Sequence, residues 1–118
     1  MMSSHSGYLV RQPQDLQEER STCGFRKRVF TADDKASMSA SVVSIHDAKP
    51  HYHKETTEIY YVLEGTGALE LDGDRVPLSP GSAVLIKPHV RHRATGDVVA
   101  LVIGNPPFHT DDLYLVEE

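Results

Sequence analysis

From Phe25 onward the chain is written as short apolar runs, alternating or β-branched, broken by glycine, proline or Asp-Gly. Residues 26–30 (RKRVF) read as a strand ending in a turn at Ala32, Asp33 and Asp34, and residues 36–46 are small and β-branched with no helix start or stop. Residues 58–65 (EIYYVLEG) form an aromatic strand. Residues 67–78 alternate Ala68 and Glu70 against Leu69 and Leu71, then turn at Asp72–Gly73, a pair suited to the positive φ angles of a tight hairpin. Residues 82–86 (SAVLI) read as a continuous buried strand. Residues 90–94 and 98–103 read as two strands parted by a turn at Thr95, Gly96 and Asp97. No long amphipathic helix is written anywhere. The pattern predicts an all-β sandwich or barrel.

Two segments flank this body. Residues 1–24 are read as an N-terminal arm, polar and poorly ordered over 1–7, with one or two helical turns between Asp15 and Arg20. After Asn105–Pro106–Pro107 the tail runs over the surface to a short edge strand at 113–116, LYLV. Residues 25–118 form the one folded domain, in keeping with a length of 118 residues.

Charge and cysteine content narrow the function. Seventeen acidic against twelve basic residues give a net charge of -5, which argues against a nucleic-acid partner. No apolar run is long enough to span a bilayer, and MMSSHSGYLVRQPQDLQ lacks the layout of a secretory signal. Cys23 is the single cysteine, which excludes an internal disulfide and fits the reducing cytoplasm. Histidine is rich, with seven in the chain.

Three of those histidines carry a pattern. His51 and His53 are two apart, so on a strand both point to one face. A polar connection follows, and Glu58 opens the next strand, where an antiparallel return would set its carboxylate beside the imidazoles. His92 lies in the strand VRHRA. Three imidazoles and a carboxylate suit a divalent transition metal: Zn, Fe, Ni, Cu or Mn.

The stretch from His51 through His53 and Glu58 to Gly65 resembles the first motif of the cupin superfamily. The stretch from Gly81 to His92 is similar to the second. The resemblance spans about residues 36–104 and extends to the small stand-alone bacterial cupins. It implies a small antiparallel jelly-roll β-barrel with little helix and one metal inside, held by His51, His53, Glu58 and His92. The chain departs from the family pattern at Ile45, Lys87, His89 and Gly96, none of them a ligand position.

Other candidates are weaker. His46 reads as a strand end near solvent; His89 and His109 read as surface residues, and His5 lies in the terminal segment. Arg91 and Arg93 flank His92 and so face outward. Asp111 and Asp112 read as a solvated turn, and Cys23 as a small buried hydrophobe. Tyr60 shares the inward parity of Glu58 and is the candidate substrate-binding residue, with barrel packing as the alternative.

A dication with three neutral imidazoles and one carboxylate leaves a charge of about +1, which favours an anionic small-molecule ligand. The expected function is a metalloenzyme acting on a small carboxylated or polyhydroxylated metabolite, of isomerase, lyase or dioxygenase type. The alternative is a non-catalytic binding or sensing module, supported by the small size and the scarcity of general acids or bases. A homodimer is expected, because exposed strand edges need cover and both the arm and the LYLV tail are available to cross.

Overall fold

The computed structural model describes residues 7–117. Nine strands form one curled antiparallel sheet: β1 (Glu18–Ser21), β2 (Gly24–Phe30), β3 (Ser39–Ile45), β4 (His51–Tyr52), β5 (Thr57–Leu71), β6 (Asp74–Leu78), β7 (Ala83–Ile86), β8 (His92–Asn105) and β9 (Tyr114–Leu115). Along one path the order is β1-β2-β3-β8-β4-β9, and β5 bridges β8 to β6 and β7. The all-β expectation holds: among the described residues the helical turns are three short 3-10 segments at 13–15, 32–34 and 110–112.

Two long strands make the frame. β5 and β8 pair from Thr57↔Asn105 to Leu71↔His92, with a bulge between Val62 and Glu64. This corrects the sequence reading, which ended one strand at Gly65, began another at Gly67 and set a turn at Thr95, Gly96 and Asp97. A Cβ on Gly65 would collide with the Asp97 carbonyl, one on Gly67 with the Thr95 carbonyl, and one on Gly96 would lie 2.7 Å from Gly67 Cα. Glycine here lets two backbones close on each other within a continuous, bent ladder. Asp72 and Gly73, by contrast, do make the expected turn, at φ 48° and 94°.

The core fills the concave side. Val43, Ile45, Tyr60, Val62, Leu69, Leu78, Ile86, Ala94, Val98 and Ala100 are buried there. β7 is not a buried strand throughout: it alternates, and Leu85 is 57% exposed.

At the N-terminal end a 3-10 turn occupies residues 13–15, and residues 18–21 form β1 rather than helical turns, paired with β2. Arg11 forks onto both carboxylate oxygens of Asp34 at 2.8 and 3.0 Å and also donates to the Val29 carbonyl. This bidentate pair fixes the incoming segment to the turn at 32–34. The tail strand β9 pairs with β4 of its own chain.

Candidate metal centre

His51 enters on β4 directly opposite His92 on β8. Glu58 enters on β5, between Gly104 of β8 and Ile86 of β7. The expected return of Glu58 against β4 does not occur, because β4 pairs with β8 and β9 instead. Residues 54–56 are steered by a remote group. The Asp112 carboxylate accepts the backbone N–H groups of Lys54, Glu55 and Thr56 at 2.8–3.2 Å. Asp112 is thus buried and structural, where a solvated turn was expected.

The four side chains meet. His51, His53, Glu58 and His92 are all buried, and one donor atom from each lies within 4.8 Å of the others. Every Nδ1 is engaged by a backbone carbonyl: His51 with Lys49 at 2.9 Å, His53 with Asp112 at 2.7 Å and His92 with Val90 at 2.9 Å. A carbonyl only accepts, so each Nδ1 carries the proton and each neutral Nε2 presents a lone pair. The His89 N–H donates to the His53 carbonyl at 2.6 Å, which holds that backbone from the other side.

Glu58 Oε1 lies 3.2 Å from His53 Nε2 and 3.1 Å from His92 Nε2. These approaches are close but not aligned as hydrogen bonds, and all three atoms are buried without a hydrogen-bond partner. Buried polar atoms are rarely left so. Three oriented lone pairs and a carboxylate facing one point are the donor set of a borderline divalent metal, and the residues fit that group.

In the metal-free chain the shifts divide, one keeping an imidazole neutral and another favouring its protonation beside Glu58. Burial pushes the His51 imidazole down to about 4, with His92 adding to the effect. Burial would push the Glu58 carboxyl up, but the His53 and His92 imidazoles outweigh it and hold the group down to about 2. Burial also works against protonated His53, yet Glu58 and the Asp112 contacts prevail and raise it.

A cavity of about 340 Å³ opens onto His51, His53 and Glu58. Tyr60 lines it as parity requires, fully buried, with Oη 3.8 Å from Cys23 Sγ. Cys23 was read as inert packing. It does pack against the core, and it also lines the cavity 4.0 Å from His51 Nε2, its thiol pushed up to about 11 by burial and by Glu58. Phe108 packs edge-on against His53 at 5.5 Å between centroids. Cys23 and Phe108 lie far from the motif in sequence, and neither spacing nor periodicity points to them. His46 is exposed at the end of β3, and Arg93 faces outward to Glu70 at 2.9 Å.

The chain belongs to the cupin family: the pattern described as "Cupin domain" matches residues 43–104. It is 33% identical over 94 residues to an L-ectoine synthase of Mycolicibacterium gilvum, covering 75% of this chain and 72% of that one. A crystal structure of a protein from Planctomyces limnophilus superposes with a TM-score of 0.87 at 32% identity, over 95% of this chain and 99% of the other. The nucleoside dehydratase Pac13 superposes with a TM-score of 0.82 over 93% and 92% of the two chains. At 17% identity that is a likeness of fold alone. Among the described residues no helix is long and apolar enough to cross a membrane.

Proposed function

We propose that this chain is a metal-dependent cupin enzyme that holds one divalent transition metal on His51, His53, Glu58 and His92. Its substrate is a small carboxylated or polyhydroxylated metabolite. The observation that carries this reading is the set of three Nδ1–H groups fixed on backbone carbonyls, which turns every Nε2 inward. The bound metal would supply Lewis-acid polarisation of a carbonyl or hydroxyl oxygen.

The chain's own residues supply proton donors. Burial holds the Tyr60 hydroxyl protonated far above neutrality and does the same for the Cys23 thiol. Two neutral hydrogen-bond donors beside the cluster suit the orientation of a ligand oxygen, and the turnover screen decides among isomerase, lyase and dioxygenase chemistry. Relatives named L-ectoine synthase support a small-metabolite substrate. The test is a turnover screen of the metal-loaded protein with small acids and sugars, including the substrate of L-ectoine synthases. Metal-dependent turnover that slows in Tyr60→Phe is expected. Loading without turnover on any of them favours the second reading, a binding or sensing module. One observation supports that second reading: outside the ligand set, no lining residue among the described residues is a carboxylate or imidazole.

The partner we propose is a second copy. Leu85, Ile59 and Ile103 form one row on the outer face of β7, β5 and β8, and Tyr61, Leu101 and Val42 form the next. Ile59, Tyr61, Leu63 and Leu85 are exposed. No charge interrupts those rows, and a self-complementary apolar face suits a two-fold dimer. A lone cysteine held as a thiol suits the cytoplasm, where we place the protein.

A further inference from the structure

Opposite the histidines, the cavity wall carries a cation that the metal reading leaves without a role. Arg26 lies on β2 opposite Val43, on the inward parity of the sheet. Its side chain is only 17% exposed, and it lines the cavity together with Phe108 and Ser39. The Arg26 Nε donates to Glu19 Oε1 at 3.1 Å, but that same oxygen also takes the Arg28 Nε. Two guanidinium groups share one carboxylate, so one positive charge is left over. The Arg26 terminal nitrogens form no hydrogen bond among the described residues. Arg20 also lines the cavity, with its guanidinium over Phe25 at 5.0 Å to the ring centroid rather than over Phe108, so it serves as the control.

Phe108 links the two ends. Its ring is 5.5 Å from His53 and 5.7 Å from the Arg26 Cζ, centroid distances in both cases. The Ser39 hydroxyl accepts the Phe108 N–H at 3.0 Å and fixes the wall in place. A molecule lying along Phe108 would have the histidine cluster at one end and an unspent planar fork at the other. A guanidinium fork matches a carboxylate with two parallel hydrogen bonds. The cavity is at the small end of ligand sites, so the molecule is short.

We propose that Arg26 is the carboxylate-binding residue of this cavity, and that the ligand is a short acid with two polar ends. One end is a carboxylate on the Arg26 Nη atoms, and the other reaches His51, His53 and Glu58. This rests on the metal reading above and names the substrate class for it.

The experiment uses the zinc-loaded protein and two probes that differ by one carboxylate, glutarate and butyrate, with inorganic phosphate as a third. Zinc content is measured first, then affinity by titration calorimetry. The wild type binds glutarate roughly tenfold or more tightly than butyrate, as a charge-assisted contact implies. Arg26→Gln keeps its zinc and loses that preference, while Arg20→Gln keeps both. If Arg26→Gln does not fold, Arg26→Met retains the apolar stem against Phe108 and makes the same test. The proposal is overturned by a zinc-loaded wild type with no preference for glutarate, or by a preference that survives loss of Arg26. Loss of the preference in Arg20→Gln, or phosphate binding as tight as glutarate, overturns it as well. A wild type that takes up none of Zn, Fe, Ni, Mn or Cu overturns the metal reading, and this two-ended site falls with it; metal content therefore separates the two failures.

Discussion

The two faces of β5 reverse the usual placement of charge and apolar surface. Inward, Glu58 and Tyr60 are 7% and 2% exposed beside three buried histidines; outward, Ile59, Tyr61 and Leu63 are 39–45% exposed. A buried carboxylate with unpartnered imidazoles is costly unless something binds it. An apolar row in water is costly unless something covers it. On the proposed reading each face takes a different kind of partner: a cation within, a second copy of the chain without.

The strongest way to break the inner face acts from a distance. Asp112 touches no metal position with its side chain, yet its carboxylate takes three backbone N–H groups and its carbonyl takes His53 Nδ1. Asp112→Ala leaves those donors unpaired and should cost about 3 kcal/mol or more in chemical denaturation. Metal affinity should fall with it, because the segment after His53 loses the carboxylate that anchors it to the Asp112 turn, whose backbone carbonyl orients the ring. A variant as stable as the wild type would show that the loop holds itself.

The outer face is next. Leu85→Lys places a charge on the most exposed apolar residue of the patch and should dissociate the dimer, read by light scattering at micromolar concentration. A wild type that is already monomeric contradicts the reading of this face. Dimer retention in Leu85→Lys moves the interface elsewhere.

Much of the inner face was legible in sequence, and the reason is parity. His51 and His53, and likewise Glu58 and Tyr60, are spaced by two, and strand geometry alone puts each pair on one side. Asp112 and Cys23 were not legible. Asp112 contacts residues more than fifty positions away, and Cys23 contacts partners 28 and 37 away, so only the curl of the sheet unites them. Gly65, Gly67 and Gly96 misled for a different reason: glycine signals a turn and a close backbone approach with the same letter. SAVLI misled because an apolar run does not say whether one face or both are covered; Leu85 is apolar and outward.

A smaller effect sharpens the electrostatics of the inner face. In the metal-free protein, His51 is held down to about 4, while the unfolded chain takes its proton near pH 6.5. The unfolded state therefore binds more protons between those values, and this group's contribution is lost as pH falls from about 6.5 to about 4. His53 is raised and works the opposite way: its contribution is present below about pH 6.5 and is lost as pH rises through its folded value. With chelator present, His51→Gln should show a smaller loss of urea midpoint between pH 7 and pH 4.5 than the wild type. An equal or larger loss removes His51 from the account.

The smallest change concerns Tyr60. Tyr60→Phe keeps the ring in the core and removes Oη beside Cys23. Metal content and folding should be unchanged. Ligand affinity or turnover should drop by about 1 kcal/mol, the worth of one hydrogen bond, or by more if the hydroxyl gives up its proton in the reaction. Silence in both binding and turnover makes Tyr60 a packing residue.

Whether His51, His53, Glu58 and His92 hold one metal ion is read by elemental analysis of the purified protein. About one transition-metal equivalent per chain is expected in the wild type, with none in the double variant His51→Ala, His53→Ala, folded by circular dichroism. Equal metal in the wild type and the double variant, or none in a wild type offered Zn, Fe, Ni, Mn or Cu in turn, contradicts it.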